Sequence, residues 1–77
     1  MNKERRKRIE DITGKMRDLL TEMEEIRDEE EDYRDNIPDN LQGSERYEKA
    51  EEYCDGLNDF IDTIESTLED LDNLIEG

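Results

Sequence analysis

Cys54 and a large number of carboxylates are the side chains of this sequence that could do covalent or acid–base chemistry. The 77 residues include 26 Asp and Glu but no histidine, which excludes a histidine general base and the Ser/His and Cys/His nucleophile pairs. A catalytic carboxylate pair needs an apolar pocket that shifts the pKa of one member, and these acids are spread along polar stretches. The sequence therefore predicts a protein that is not an enzyme and has no cofactor.

Metal and redox chemistry are not indicated either. Asp32, Asp35, Asp39 and Asn40 lie close together, but they lack the central glycine and distal glutamate of an EF-hand loop, so no metal site is predicted. Cys54 is the single cysteine, which excludes an internal disulfide. It falls at a predicted core position, where we expect a small buried side chain rather than a reactive thiol.

The acids after Lys49 are the strongest candidate for a binding surface. Ten acidic and no basic residues follow Lys49, and helical residues three or four apart lie about 5–6 Å from each other. This is near the phosphate spacing of a nucleic-acid strand, so such a rod can occupy a basic groove built for nucleic acid. The predicted partner-binding residues are Asp55, Asp59, Asp62, Glu65, Glu69 and Asp70. The alternative is a solvated face that only keeps the protein soluble.

The net charge of −15 decides which partners are expected. It disfavours nonspecific binding to nucleic acid or an anionic membrane and favours a partner protein with a basic surface. The basic run at residues 3–8 could be a nucleic-acid patch, but it contains no aromatic residue to stack on bases. We expect this run to lie beside the acidic end of the chain instead.

Two heptad patterns predict the elements that position these groups. In the first, apolar residues recur in steps of three and four, with a at Ile9, Met16 and Met23 and d at Ile12, Leu19 and Ile26. The second has the same steps: Tyr47, Ala50, Cys54, Leu57, Ile61, Ile64, Leu68, Leu71 and Ile75. This predicts an all-α fold, an antiparallel two-helix coiled-coil hairpin.

The turn between the heptads sets the bounds of the hairpin. Pro38 disfavours a helical conformation before it, Gly43 can adopt a positive φ, and Ser44 is a preferred N-cap. The chain is therefore predicted to be one domain, 1–77, with a helix at 3–35, a turn at 36–43 and a helix at 44–76. This turn pairs a with d positions: Ile12 with Leu68, Leu19 with Ile61, Ile26 with Cys54, and Tyr33 with Tyr47.

Some apolar residues fall outside this seam. Tyr53, Phe60 and Leu74 all occupy g positions of the second heptad, and Leu20 occupies an e position of the first. A hairpin with leftover apolar surface commonly pairs with another. We expect a homodimer with Tyr53, Phe60 and Leu74 at the interface. A four-helix bundle formed by two hairpins is the simplest form of such a dimer.

The whole chain, and most of all IPDNLQGSERYEKAEE at 37–52, resembles small acidic helical proteins of phages and prophages of Gram-positive bacteria. No established activity or functional residue comes with that resemblance. It implies binding to a host protein, such as anti-CRISPR-like inhibition of a defence nuclease by DNA mimicry. No stretch approaches the roughly 18 apolar residues of a membrane span, so we expect a protein of the bacterial cytoplasm. The alternative function is a structural or oligomerising coiled coil.

Overall fold

The protein is a helical hairpin, seen in a computed structural model that describes residues 1–41 and 43–76. Gln42, within the predicted turn, and Gly77 lie outside the described residues. Helix α1 spans Lys3–Asp35, a short 3-10 helix spans Asp39–Leu41, and helix α2 spans Glu45–Glu76. The long helices pack against each other, which confirms the predicted all-α hairpin. Their bounds lie within one residue of the predicted ones.

The helix ends follow from local hydrogen bonds. The side chain of Asn2 accepts a bond of 2.8 Å from the backbone N–H of Arg5 at the start of α1. The hydroxyl of Ser44 accepts one of 3.3 Å from the backbone N–H of Tyr47, as expected of an N-cap. No described glycine has a positive φ, so the prediction for Gly43 is wrong. The 3-10 helix after Pro38 turns the chain instead.

The buried spine of α2 lies at the predicted positions. Four of the five residues at a positions are buried, namely Cys54, Ile61, Leu68 and Ile75, and the fifth, Tyr47, is half-buried. Ala50, at a d position, is buried as well. The remaining d residues are half-buried. The second heptad therefore predicted the contact side of α2 correctly.

Helix α1 is rotated about its axis relative to the prediction. Leu20 is 7% exposed whereas its neighbour Leu19 is 63% exposed, so the e side of α1 faces α2 and the d side does not. Thr13, at another e position, is buried as well. The other predicted d residues, Ile12, Ile26 and Tyr33, are exposed. The predicted a–d pairing is therefore wrong for α1.

The contacts across the seam show the same displacement. Ile61 packs with Leu20, and not with Leu19, in a cluster that includes Leu68, Met23 and Ile64. Under the predicted pairing Arg27 would lie opposite Tyr53, but it donates to Asn58 at 3.3 Å. Two helices share only one contact strip, and the apolar surface of α1 is wider than that strip. The rotation buries Leu20 and brings the e-position guanidinium of Arg27 to α2.

The rotation gives the hairpin two unlike broad faces. On one side, Arg46 at a g position of α2 contacts Tyr33 at a d position of α1, so these two positions share a face. We call it the apolar face, defined by seven exposed residues: Ile12, Leu19, Ile26, Tyr33, Tyr53, Phe60 and Leu74. On the other side, Arg17 contacts Asp72 and Asn58 contacts Glu31.

Candidate protein-interaction surfaces

All six predicted partner-binding acids are exposed on α2, but only some form one row. Asp55, Asp62 and Glu69 repeat every seven residues and so lie along one line of the helix. Asp59 is three or four residues from two of them and adjoins the line. We call Asp55, Asp59, Asp62 and Glu69 the acidic row. The b positions of α2 point about 140° away from its g positions, so Asp55, Asp62 and Glu69 lie on the side of α2 opposite the apolar face, and Asp59, at an f position, lies beside them on the outer edge.

The acidic row is uncompensated within the hairpin. None of its four carboxylates has an ion-pair partner among residues 1–41 and 43–76. Arg17, a base of α1 that forms an ion pair with α2, pairs with Asp72 and not with an acid of the row. The row therefore presents its full negative charge to solvent and to any partner.

Glu65 lies at the edge of the contact between the helices and is not part of the acidic row. Partial desolvation raises the pKa of Glu65 above its ordinary value, and a hydrogen bond and the negative charge of Glu24 on α1 raise it further. Asp62 and Glu69 on α2 add to the same shift. Like charges thus meet across the helices at this point, which destabilises the hairpin at neutral pH.

Asp70 lies away from the other five acids. One residue further along the helix than Glu69, it is turned by about 100° from it, toward the side that carries Phe60 and Leu74. The structure therefore does not bring Asp70 into the acidic row. Its exposure leaves it at the rim of the apolar face.

Among the described residues no ion pair joins the basic run at residues 3–8 to α2, so the expected compensation of this run is not observed. The Arg17–Asp72 ion pair joins the first half of α1 to the last turns of α2, in agreement with an antiparallel arrangement of opposite charges. Both side chains are well exposed, so the pair contributes little to stability by itself. It marks the orientation of the helices.

The apolar face contains a groove at its centre. Met16, Leu19, Leu20, Met23 and Ile64 line a space of ≈ 160 Å³ between the two helices. The g residues predicted for an oligomer interface, Tyr53, Phe60 and Leu74, are exposed on the same face. The sequence pattern missed the share of α1 in this face, because it assigned the d residues of α1 to the intramolecular seam.

Cys54 has no features of a reactive thiol. Its side chain is 0% exposed, and burial raises the pKa of the thiol above its ordinary value, although the nearby charge of Arg34 acts in the opposite direction. A raised pKa keeps the sulfur protonated and weakly nucleophilic. Cys54 therefore acts as a small core residue.

Residues 1–41 and 43–76 contain neither a candidate metal site nor a candidate membrane span. No group of three or more His, Cys, Asp or Glu side chains in that part of the chain is placed to hold a metal ion. Neither described helix is long and apolar enough to cross a membrane. No protein-family model, curated protein or solved structure matches this chain.

Proposed function

We propose that this protein is a non-enzymatic inhibitor that binds a basic, nucleic-acid-binding surface of a bacterial protein through the acidic row. The observation that carries this proposal is the exposure of Asp55, Asp59, Asp62 and Glu69 on one side of α2, with no ion-pair partner among the described residues. A basic groove built for phosphates would neutralise these charges and release its own counterions.

The helix that holds the row favours this kind of recognition. The buried spine of Cys54, Ile61, Leu68 and Ile75 fixes α2 against α1 along the whole length of the row. A preformed array of charges loses less conformational entropy on binding than a flexible acidic tail would. The row can therefore act as a straight, fixed substitute for a stretch of nucleic-acid backbone.

The resemblance to small acidic phage proteins supports the same function by analogy. Proteins of that type commonly act on host proteins, and DNA mimicry is one of the ways in which they inhibit defence nucleases. The intended partner would then be a bacterial defence protein or a DNA- or RNA-processing protein. The setting would be the cytoplasm of the host cell.

Charge reversal in the acidic row tests the proposal. The variant Asp59→Lys/Asp62→Lys/Glu69→Lys changes three exposed side chains that do not pack in the core, so helicity should be retained. The tagged protein and this variant are incubated with bacterial lysate at low and high salt, and the retained proteins are compared by mass spectrometry. The parent should retain nucleic-acid-binding proteins that the variant loses, and duplex DNA should displace them.

A matched control separates the row from net charge. The variant Asp11→Lys/Asp18→Lys/Glu25→Lys makes the same change in charge at exposed positions of α1 that face away from α2. It should retain the same proteins as the parent. Equal losses in both variants would show that only total charge matters, and unchanged binding by the row variant would refute the proposal.

The second candidate function is an oligomerising coiled coil, and the apolar face favours it. Leu19, Phe60 and Leu74 are all more than half exposed and belong to one face, and apolar side chains grouped in this way mark an interaction surface. In that case the acids of α2 would serve only as a solvated outer surface. Loss of lysate partners upon Phe60→Asp, with no loss upon reversal of the acidic row, would favour this candidate.

A further inference from the structure

We infer that the apolar face binds a second copy of this chain about a two-fold axis, with α1 antiparallel to α1 of the partner and α2 antiparallel to α2 of the partner. This four-helix assembly leaves the acidic row on its outside. The inference does not depend on the proposed function. It assigns the d residues of α1 to the contact between copies. The size of the face, the charges beside it and the position of the groove carry the inference.

The apolar face is large enough for a stable dimer. The hairpin is 60 Å long and 16 Å wide, so one broad face is comparable with the roughly 800 Å² per partner of a standard interface. Exposed apolar side chains occur from Ile12 to Tyr33 on α1 and from Tyr53 to Leu74 on α2. Together they cover most of the length of the face.

The charges of α1 beside the apolar face are complementary to themselves. The exposed g positions of α1 are basic in its first half, at Arg8 and Lys15, and acidic in its second half, at Glu22 and Glu29. In an antiparallel coiled coil, g residues pair with g residues of the other helix. An antiparallel copy therefore places Lys15 opposite Glu22 of the partner subunit, and Arg8 opposite Glu29 of the partner subunit.

The same register fills the apolar layers. In this register, residues at heptad position a of one α1 pack on residues at position d of the other. Met16 meets Leu19 of the partner subunit, and Ile12 meets Met23 of the partner subunit. This is the layering expected of antiparallel helices. The charged pairs and the apolar layers thus agree on one alignment of α1 with its copy.

The side of α2 that borders the apolar face is nearly free of acids. The c and g positions of α2 carry one acid, Asp70, although this helix is strongly acidic elsewhere. The others are uncharged or basic: Arg46, Lys49, Tyr53, Gly56, Phe60, Thr63, Thr67 and Leu74. Two copies of α2 can therefore approach along this side without bringing rows of like charge together.

One axis satisfies both helix pairs. The alignment of α1 with its copy places the two-fold axis of the dimer between Met16 and Leu19. These two residues line the same groove as Ile64 of α2. An axis through this groove brings Ile64 close to Thr67 of the partner subunit, and Phe60 close to Leu71 of the partner subunit. A closed two-fold interface of this kind uses the same surface on both chains.

Sedimentation equilibrium tests whether the face binds a copy. The parent should have twice the mass of one chain at micromolar concentration. Leu19→Asp or Phe60→Asp should weaken dimerisation by roughly tenfold or more, because each buries two carboxylates in an apolar interface. Leu41→Asp, which changes an exposed apolar residue outside the face, should behave like the parent. A parent that stays monomeric would overturn the inference.

Charge-swapped variants test the arrangement of the helices. Arg8→Glu/Lys15→Glu leaves α1 with four acidic g residues, and Glu22→Lys/Glu29→Lys leaves it with four basic ones. These side chains are exposed, and circular dichroism should show both variants helical. Each alone should dimerise more weakly than the parent, and a one-to-one mixture should form a heterodimer. If the mixture dimerises no better than the separate variants, α1 does not pair with its copy and the inference is wrong.

Discussion

The carboxylates of α2 have different energetic consequences, and Glu65 differs most from the acidic row. Its raised pKa results from desolvation first and from Glu24 second. Because the folded state holds the proton of Glu65 more tightly than the unfolded chain does, protonation stabilises the hairpin. This contribution appears as the pH falls through the raised pKa and is lost as the pH rises through it. At neutral pH the charged side chain of Glu65 destabilises the hairpin.

Glu65→Gln should therefore raise the melting temperature at pH 7, since the amide has the same shape and no charge to repel Glu24. The gain should shrink as the pH falls through the raised pKa toward the ordinary glutamate pKa of about 4.3, because Glu65 is then protonated in the folded state and increasingly protonated in the unfolded chain. Thermal unfolding followed by circular dichroism between pH 4 and pH 7 measures it. Glu52→Gln, which removes the same charge from an exposed position, is the control. An equal gain in both variants would assign the effect to net charge.

Within the helices, the rotation of α1 decides which of two adjacent leucines supports the hairpin. Leu20 packs on Ile61 and Leu68, whereas Leu19 points into the apolar face. Leu20→Ala removes buried contacts and leaves a cavity, which should cost about 2–4 kcal/mol in the free energy of unfolding.

Leu19→Ala is the matched comparison and should cost less than about 0.5 kcal/mol in the monomer. Both variants are best measured by urea unfolding in a Phe60→Asp background, because Leu19 becomes buried if two hairpins associate. A larger loss for Leu19→Ala than for Leu20→Ala would restore the a–d seam that the heptad predicts. It would also show that the e side of α1 does not face α2.

The sequence predicted the elements well because their determinants are local. Pro38 and Ser44 act on their own neighbours, and the apolar steps of α2 leave one choice for its buried side. In α1 the heptad is satisfied by two arrangements, since a and d residues can face either the second helix or a second hairpin. Among the e residues of α1 only Leu20 is apolar, and a single apolar residue does not indicate a seam. Only the tertiary contacts of Arg17, Leu20 and Arg27 with α2 distinguish the two.

The sequence predicted which residues make up the acidic surface, but not which of them lie together on one side of α2. A net charge of −10 after Lys49 is visible in the composition, as ten acids without a base. Whether the acids form one row depends on which side of α2 is buried. That side separates the acidic row from Asp70 and places Glu65 beside Glu24. The pattern therefore identified the helix that carries the surface, and the packing selected its members.

The molecule as a whole has its apolar and acidic surfaces on opposite sides of an elongated hairpin. Its formal charge of −15 is held within extents of 60 × 16 × 13 Å, so the carboxylates repel one another through solvent. The ion pair between Arg17 and Asp72 is exposed and offsets little of this repulsion. Repulsion, rather than attraction, should dominate the electrostatic part of the stability.

Moderate salt should therefore raise the melting temperature, because at ionic strengths near 0.15 M charges more than about 8 Å apart are largely screened from each other. A fall in pH from 7 toward 5 should act in the same direction, since Glu65, whose pKa is raised, takes up a proton in the folded state. Melting curves from circular dichroism, recorded in the Phe60→Asp background so that association does not contribute, measure both effects. A melting temperature that falls under both treatments would mean that attractive ion pairs dominate and that the acids of α2 are compensated. The acidic row would then lack the uncompensated charge by which it could compete with nucleic acid for a basic groove.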